Sequence, residues 1–159
     1  MQIKLIFDSY FGNTERFARA MADAATGHDV QVIKAEEAKP GVEHNTDLLI
    51  VGSPTRAFHA SPKTTAYLKR IPSGGLRDIN VAAFDTRIAP EDVKPALLRF
   101  LVKLFGYAAA PIQKKLIKKG GRPVAQPEGF AVADTEGPPK DGELERAANW
   151  MRQLIAKTG

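Results

Sequence analysis

Two kinds of apolar spacing take turns along the chain. Short dense runs come first: Ile3, Leu5, Ile6 and Phe7 within residues 2–8, then Val30, Val32 and Ile33, then Leu48-Leu49-Ile50-Val51, then Val81-Ala82-Ala83-Phe84. Runs this short, bounded by Gly, Pro and polar residues, predict strands, and an unbroken one such as 48–51 suits a strand buried on both faces. Between them the apolar residues fall three and four apart. Phe17, Ala20, Met21 and Ala24 predict a helix over about 14–25, with Gly27 as its stop. Ser61-Pro62 reads as N-cap and first residue of a helix carrying Ala66, Tyr67, Leu68 and Ile71, ended by Pro72 and Gly74-Gly75. Pro90-Glu91-Asp92 predicts the start of another helix, carrying Val93, Leu97, Phe100, Leu101 and Leu104. Gly106 and Pro111 are expected to break it, and 112–119 to resume it. Residues 124–133, interrupted by Pro127 and Gly129, predict a fifth strand in two pieces with an exposed edge. A last helix is expected over about 143–156, with Trp150 flanking its apolar face as core packing.

Strand and helix thus alternate five times. Crossovers this short demand a parallel sheet covered on both sides, with right-handed connections: an α/β, doubly wound architecture. In such sheets ligands bind beyond the carboxyl ends of the strands, where the strand order reverses. Three loops fall at those ends, 9–14, 53–59 and 85–89. In the first, Ser9-Tyr10-Phe11-Gly12-Asn13-Thr14 follows a strand and opens a helix. Small and hydroxyl residues there offer backbone N–H groups, Ser and Thr hydroxyls and the positive end of a helix dipole, which together suit a phosphate. Gly12 permits a positive φ or a close backbone approach.

Length and composition narrow the chemistry. At 159 residues one domain over 1–159 is expected. The chain has no Cys, so disulfides, thiolate metal sites and a Cys-based phosphatase are excluded. Asp8 ends the first strand, but a phospho-acceptor receiver domain needs its Asp at the end of the third, where Ser53 stands. The dinucleotide fingerprint G-x-G-x-x-G is absent. No charged n-region with an apolar h-region and no membrane-spanning run is read, so a cytoplasmic location is expected. The net charge of +5 is uneven, because residues 93–127 hold Lys94, Arg99, Lys103, Lys114, Lys115, Lys118, Lys119 and Arg122 with no acid between them. This stretch reads as a solvated face or as a surface for an acidic partner or anionic lipid; without aromatic interleaving, nucleic acid is the weakest partner.

Residues 5–14, followed by Ala18 and Met21, resemble the signature of flavodoxins. Gly52-Ser53-Pro54-Thr55 is similar to that family's flavin-contacting loop after the third strand, and Phe84-Asp85-Thr86-Arg87 stands where it places the other loop flanking the ring. The departures are Phe11 in place of a third hydroxyl, Met21 in place of an aliphatic residue, and no Gly in residues 56–60. The resemblance implies a five-stranded sheet of order 2-1-3-4-5 with helices on both faces, and noncovalent FMN. It implies that Ser9, Asn13 and Thr14 bind phosphate through side chains, while Tyr10, Phe11 and Gly12 give backbone N–H groups. Ser53, Pro54 and Thr55 would line the ribityl chain and ring; Arg56, Ala57, Phe58 and His59 would lie near its redox edge; Asp85, Thr86 and Arg87 would belong to the loop on its pyrimidine side. Phe58 is the one aromatic residue in the second loop, and 85–89 holds none, so one face of the ring is expected to be open. The plainer alternative to these roles makes Ser9 and Thr14 helix-capping residues and His59 a surface loop residue. Three functions follow as expectations. The first is an FMN-binding electron-transfer protein serving a redox partner protein. The second is an FMN-dependent oxidoreductase of quinone-reductase or protoporphyrinogen-oxidase type, with a quinone or nicotinamide substrate. The third is a flavin-free interaction module. Arg56, Arg87 and protonated His59 would favour negative charge on a reduced ring, so a less negative second potential than in an acidic flavodoxin is expected.

Overall fold

The computed structural model describes residues 1–159, with every side chain except that of Phe105. Its strands are β1 (Gln2–Phe7), β2 (Asp29–Lys34), β3 (Leu48–Pro54), β4 (Asn80–Ile88), β5 (Arg122–Pro123) and β6 (Glu128–Val132). Its helices are α1 (Asn13–Ala24), α2 (Pro62–Arg70), α3 (Ala96–Phe105), α4 (Ala109–Lys118) and α5 (Glu143–Thr158). The strands run parallel in the order β2-β1-β3-β4-β5, and β6 also pairs with β4. The fifth sheet position is therefore shared. Asn80 and Val81 pair with Arg122 and Pro123, and Phe84 to Ile88 pair with Glu128 to Val132. The strand order is the one the resemblance implies; the fifth position is divided as expected, but its first piece lies at Arg122–Pro123, before the predicted 124–133, and Gly129 lies inside the second piece and does not interrupt it.

Side chains alternate across a strand, so each central strand feeds two cores. Ile3, Leu5, Phe7, Leu48, Ile50, Ala82 and Phe84 meet Phe17 and Met21 of α1 and Trp150, Met151 and Leu154 of α5. Ile6, Leu49, Val51, Val81 and Ala83 face the other way, toward Tyr67 and Leu68 of α2 and Ile112 and Leu116 of α4. The first core is strongly aromatic. Phe17 stacks on Phe130 at 5.2 Å, and Trp150 meets both Phe84 and Phe130 edge to face. Gly52 lies opposite Phe84 in the β3–β4 register, and a Cβ there would come within 2.1 Å of the Phe84 ring. Trp150 is core packing, as its spacing predicts.

Three local readings are corrected. The strands outlast their apolar runs: Ser53 and Pro54 belong to β3, and Asp85, Thr86, Arg87 and Ile88 to β4, because β6 offers a pairing edge along the second half of β4. Pro90 opens a single 3-10 turn over Pro90–Asp92 and not a long helix, because Pro95 interrupts the backbone before α3 begins. Pro111 does not break a helix. It lies in the first turn of α4, where its missing N–H would have no intrahelical partner in any case. In α3, Leu97, Phe100 and Leu104 are 61–68% exposed, while Val102 packs inward. Among the described residues, the helix is apolar on both sides, and Leu97, Phe100 and Leu104 lie on the side left exposed.

Candidate functional site

The chain ends of β1, β3, β4 and β6 enclose a pocket of about 260 Å³. Its floor is the loop into α1. Gly12, at φ 87°, is the N-cap of that helix, and no side chain caps it. The first N–H groups of α1 therefore open toward the pocket with the positive end of the helix dipole. Ser9 Oγ accepts the Gly12 N–H at 3.0 Å, which leaves the Ser9 hydroxyl hydrogen to donate to an anion. Thr14 is buried, with its hydroxyl oxygen 2.8 Å from that of Thr86, so the 9–14 loop is tied to β4. Asn13 is also buried, against the loop before α5.

A second wall comes from the turn after β3. Arg56 N–H donates to the His59 carbonyl at 3.0 Å, and His59 N–H to that of Arg56 at 2.9 Å. This closure holds Ala57 at φ 44° and Phe58 at φ 70°, left-handed conformations that cost about 1–2 kcal/mol each in a residue with a Cβ. The Arg56 guanidinium lies 4.7 Å from the Tyr10 ring centre and 5.6 Å from that of Phe11, bridging the two loops. Thr55 N–H donates to the Thr86 carbonyl, and its hydroxyl oxygen accepts the Ala108 N–H at 3.0 Å.

The third wall is built on a buried charge. Asp85 is fully buried; its two carboxylate oxygens accept Arg87 Nε and Nη2, each at 2.6 Å, and one also accepts the Ala109 N–H at 2.8 Å at the start of α4. Burial pushes the Asp85 carboxyl above the usual carboxylate range, while the Arg87 hydrogen bonds pull it back. The far face of the Arg87 guanidinium stacks on Tyr107 at 3.8 Å. Gly129 makes room for it, since a Cβ there would come within 2.1 Å of Arg87 Cζ.

The structure brings Ser9, Tyr10, Phe11, Asn13, Thr14, Pro54, Thr55, Arg56, Ala57, Thr86 and Arg87 to this pocket. Gly12 borders an adjoining depression beside Arg16. Ser53 is buried behind the wall, accepting the Ser61 N–H at 2.8 Å and donating to the Pro54 carbonyl. Asp85 is behind Arg87, and His59 lines a separate depression beside Lys115. Ile88, Val132 and Thr135 also line the pocket and are not among the residues singled out from the sequence. The carboxyl-end rule, applied to the fifth strand as well, finds the last two. Tyr107 and Gly129 carry no sequence signal, because their roles depend on where Arg87 lies.

A second cavity, of about 330 Å³, adjoins the pocket. Thr55, Ala57, Arg87 and Ile88 line both. Phe58, Val93, Tyr107 and the inner face of α3 at Leu98 and Val102 complete it.

An open parallel sheet of this order, with its pocket at the carboxyl ends of the strands, is the flavodoxin fold. Oxidised flavodoxin 1 from Bacillus cereus superposes with a TM-score of 0.78 at 18% identity, over 98% of each chain. A flavodoxin from the domain Archaea gives 0.73 at 19% identity, over 99% of each. The rubredoxin oxygen:oxidoreductase of Desulfovibrio gigas gives 0.69 at 21% identity, over 98% of this chain and 36% of that one. No protein-family model matches the chain, and no curated protein matches it in sequence. Among the described residues, no helix is long and apolar enough to cross a membrane.

Proposed function

We propose that this chain, as one domain over 1–159, binds FMN noncovalently and acts as an electron-transfer protein. One observation carries the reading: the uncapped N-terminus of α1 opens on the pocket between the Ser9 and Thr14 hydroxyls. A helix end left without a side-chain cap has donors to spare, and the Gly12 conformation aims them at one place. The flavin would supply the redox chemistry. The protein's part is to hold the phosphate with Ser9, Asn13, Thr14 and the α1 N–H groups, and to set the field beside the ring.

That field has two unequal sources. Arg87 is neutralised by Asp85 at 2.6 Å, so it presents a fixed planar donor more than a net charge. Among the described residues, Arg56 has no carboxylate partner, only the Tyr10 and Phe11 rings. Arg56 is therefore the cation that favours negative charge on a reduced ring, and the second potential is expected to be less negative than in an acidic flavodoxin. A redox titration of wild type and Arg56→Ala checks this: the variant should titrate at the more negative potential.

The oxidoreductase reading draws support from the second cavity, which gives a small substrate a place beside the same walls. FMN added to flavin-stripped protein tests the shared premise through quenching of flavin fluorescence. Saturable one-to-one binding is expected. Loss of one hydrogen bond to a charged group costs about 1.5–3 kcal/mol, so Ser9→Ala should weaken binding about tenfold or more. Ser9→Ala with Thr14→Ala should weaken it further. No binding to the wild type at micromolar FMN would reject both redox readings and leave the interaction module.

A further inference from the structure

We propose that the outward face of α3 docks on an anionic lipid surface, with Leu97, Phe100 and Leu104 entering the acyl boundary and the lysines beside them meeting the headgroups. None of these residues lines the main pocket, so the docking stands independently of the FMN reading.

The helix spacing sets up two apolar faces. α3 holds no acid, and Arg99 and Lys103 are its polar residues. Leu98 and Val102 turn inward to the second cavity. Leu97, Phe100 and Leu104, spaced three and four apart, turn outward and are more than half exposed. Half-buried Leu101 widens that stripe. A surface helix ordinarily gives its polar side to water, and here an apolar stripe stands there instead.

Charge selects what covers it. Arg99 is half-buried, and its Nη2 donates to the Glu91 and Val93 carbonyls at 3.2 and 3.4 Å, which ties the helix to the turn before it. Lys103, three residues beyond Phe100, borders the stripe, and Lys94 lies just before the helix. Both are exposed, and among the described residues neither has a hydrogen bond or an ion pair. Lys114, Lys115 and Lys118 follow on α4 in the same condition. The acids nearest in the chain, Glu91 and Asp92, precede Lys94, and Asp92 is paired with Lys140. Leucine and phenylalanine bordered by unpaired lysines match a surface that is negative above and apolar beneath, which is an anionic lipid interface.

A second copy of the chain fits worse. It would bring the lysines of two α3 helices together, and three exposed side chains fall well short of the about 800 Å² that each partner of a stable pair buries. A lipid surface needs no matched shape, and its negative potential acts on every lysine within a Debye length.

Flotation of the full chain with vesicles tests this, using phosphatidylcholine alone or with about one-third phosphatidylglycerol. Wild type should bind the anionic vesicles about tenfold or more tighter than the neutral ones, and less as salt is added. Phe100→Ser with Leu104→Ser should weaken that binding about tenfold or more. Lys94→Gln with Lys103→Gln should weaken it about tenfold and flatten its salt dependence. Phe100→Trp adds a reporter to the buried Trp150, and brominated lipid should quench the added fluorescence. Thermal melts identify a variant that fails to fold, and the lysine pair and the tryptophan reporter then decide. Absence of binding to the anionic vesicles, unchanged binding in the folded serine variant, or an unquenched reporter would overturn the proposal. So would a concentration-dependent dimer abolished by the serine pair, which would give the face to a second copy.

Discussion

Gly137 sits at φ 95° against the Asn13 amide, and a Cβ there would come within 2.3 Å of Asn13 Oδ1. Gly137→Ala therefore strains its own backbone and pushes on a residue of the 9–14 loop proposed to hold phosphate. Lower thermal stability and weaker FMN binding are expected together; a stability loss with unchanged FMN affinity would show that Asn13 does not contact the ligand. Asp85 offers a second test at this scale. Removing one partner of a buried pair typically costs about 3–5 kcal/mol, and Arg87 is only partly buried, so Asp85→Asn should cost about 3 kcal/mol by urea denaturation. It should also free Arg87 to act as a charge and raise the flavin potential. A destabilised protein with an unshifted potential would show that Arg87 exerts no field on the ring. Asp85 and Arg87 were legible in the sequence as chemistry-bearing residues at the end of a strand. Their pairing was not, because two residues of one strand meet on the same side only when the strand continues past the apolar run.

At the scale of elements, α5 is fastened to the sheet edge through Glu143. One of its carboxylate oxygens accepts the Ala131 N–H at 2.7 Å, and Arg146 donates from Nε at 2.8 Å and from Nη2 at 2.9 Å. The Arg146 hydrogen bond lowers the Glu143 carboxyl below its ordinary value of 4.5. A carboxyl whose pKa is depressed on folding adds stability above its unfolded value, and that stability is lost as pH falls through the folded value. Wild type should therefore be more stable than Glu143→Gln near neutral pH, and their denaturation midpoints should converge below about pH 4.5. Midpoints that stay equally far apart in acid would assign the difference to geometry and not to charge. The helix itself was readable from its apolar face at Ala147, Met151 and Leu154. Its docking was not, because the Ala131 N–H is left for a side chain only once β6 has taken its place beside β4.

For the whole molecule, the net charge of +5 governs encounter more than fold. Loaded with reduced FMN, the protein should transfer electrons to ferricyanide, an anion, at a rate that falls as salt is added from low ionic strength. With a cationic cobalt or ruthenium complex the dependence should be reversed. Stopped-flow rates over a salt series measure both, and parallel salt slopes would show that the charge near the site is not the protein's net charge. The outward apolar face of α3 belongs to this scale too. Leu97, Phe100 and Leu104 match a helical spacing that ordinarily marks a buried stripe, and nothing in the spacing tells which of two apolar faces the domain will cover.

The sequence by itself determined the alternation of strands and helices, a parallel sheet, and a loop at residues 9–14 beyond the carboxyl end of the first strand. These follow from local spacing and from the limited ways a chain can cross a parallel sheet. It also determined which chemistries were absent, since a residue type that does not occur cannot act. The tertiary structure decided what lies across from what. Asp85 became a strand residue because β6 pairs with that half of β4; Gly129 became the space for Arg87, and Tyr107 its platform. The inner face of α3 closed a second cavity against the 55–58 turn. Those are contacts between segments tens of residues apart, and they depend on register and packing that no local pattern encodes.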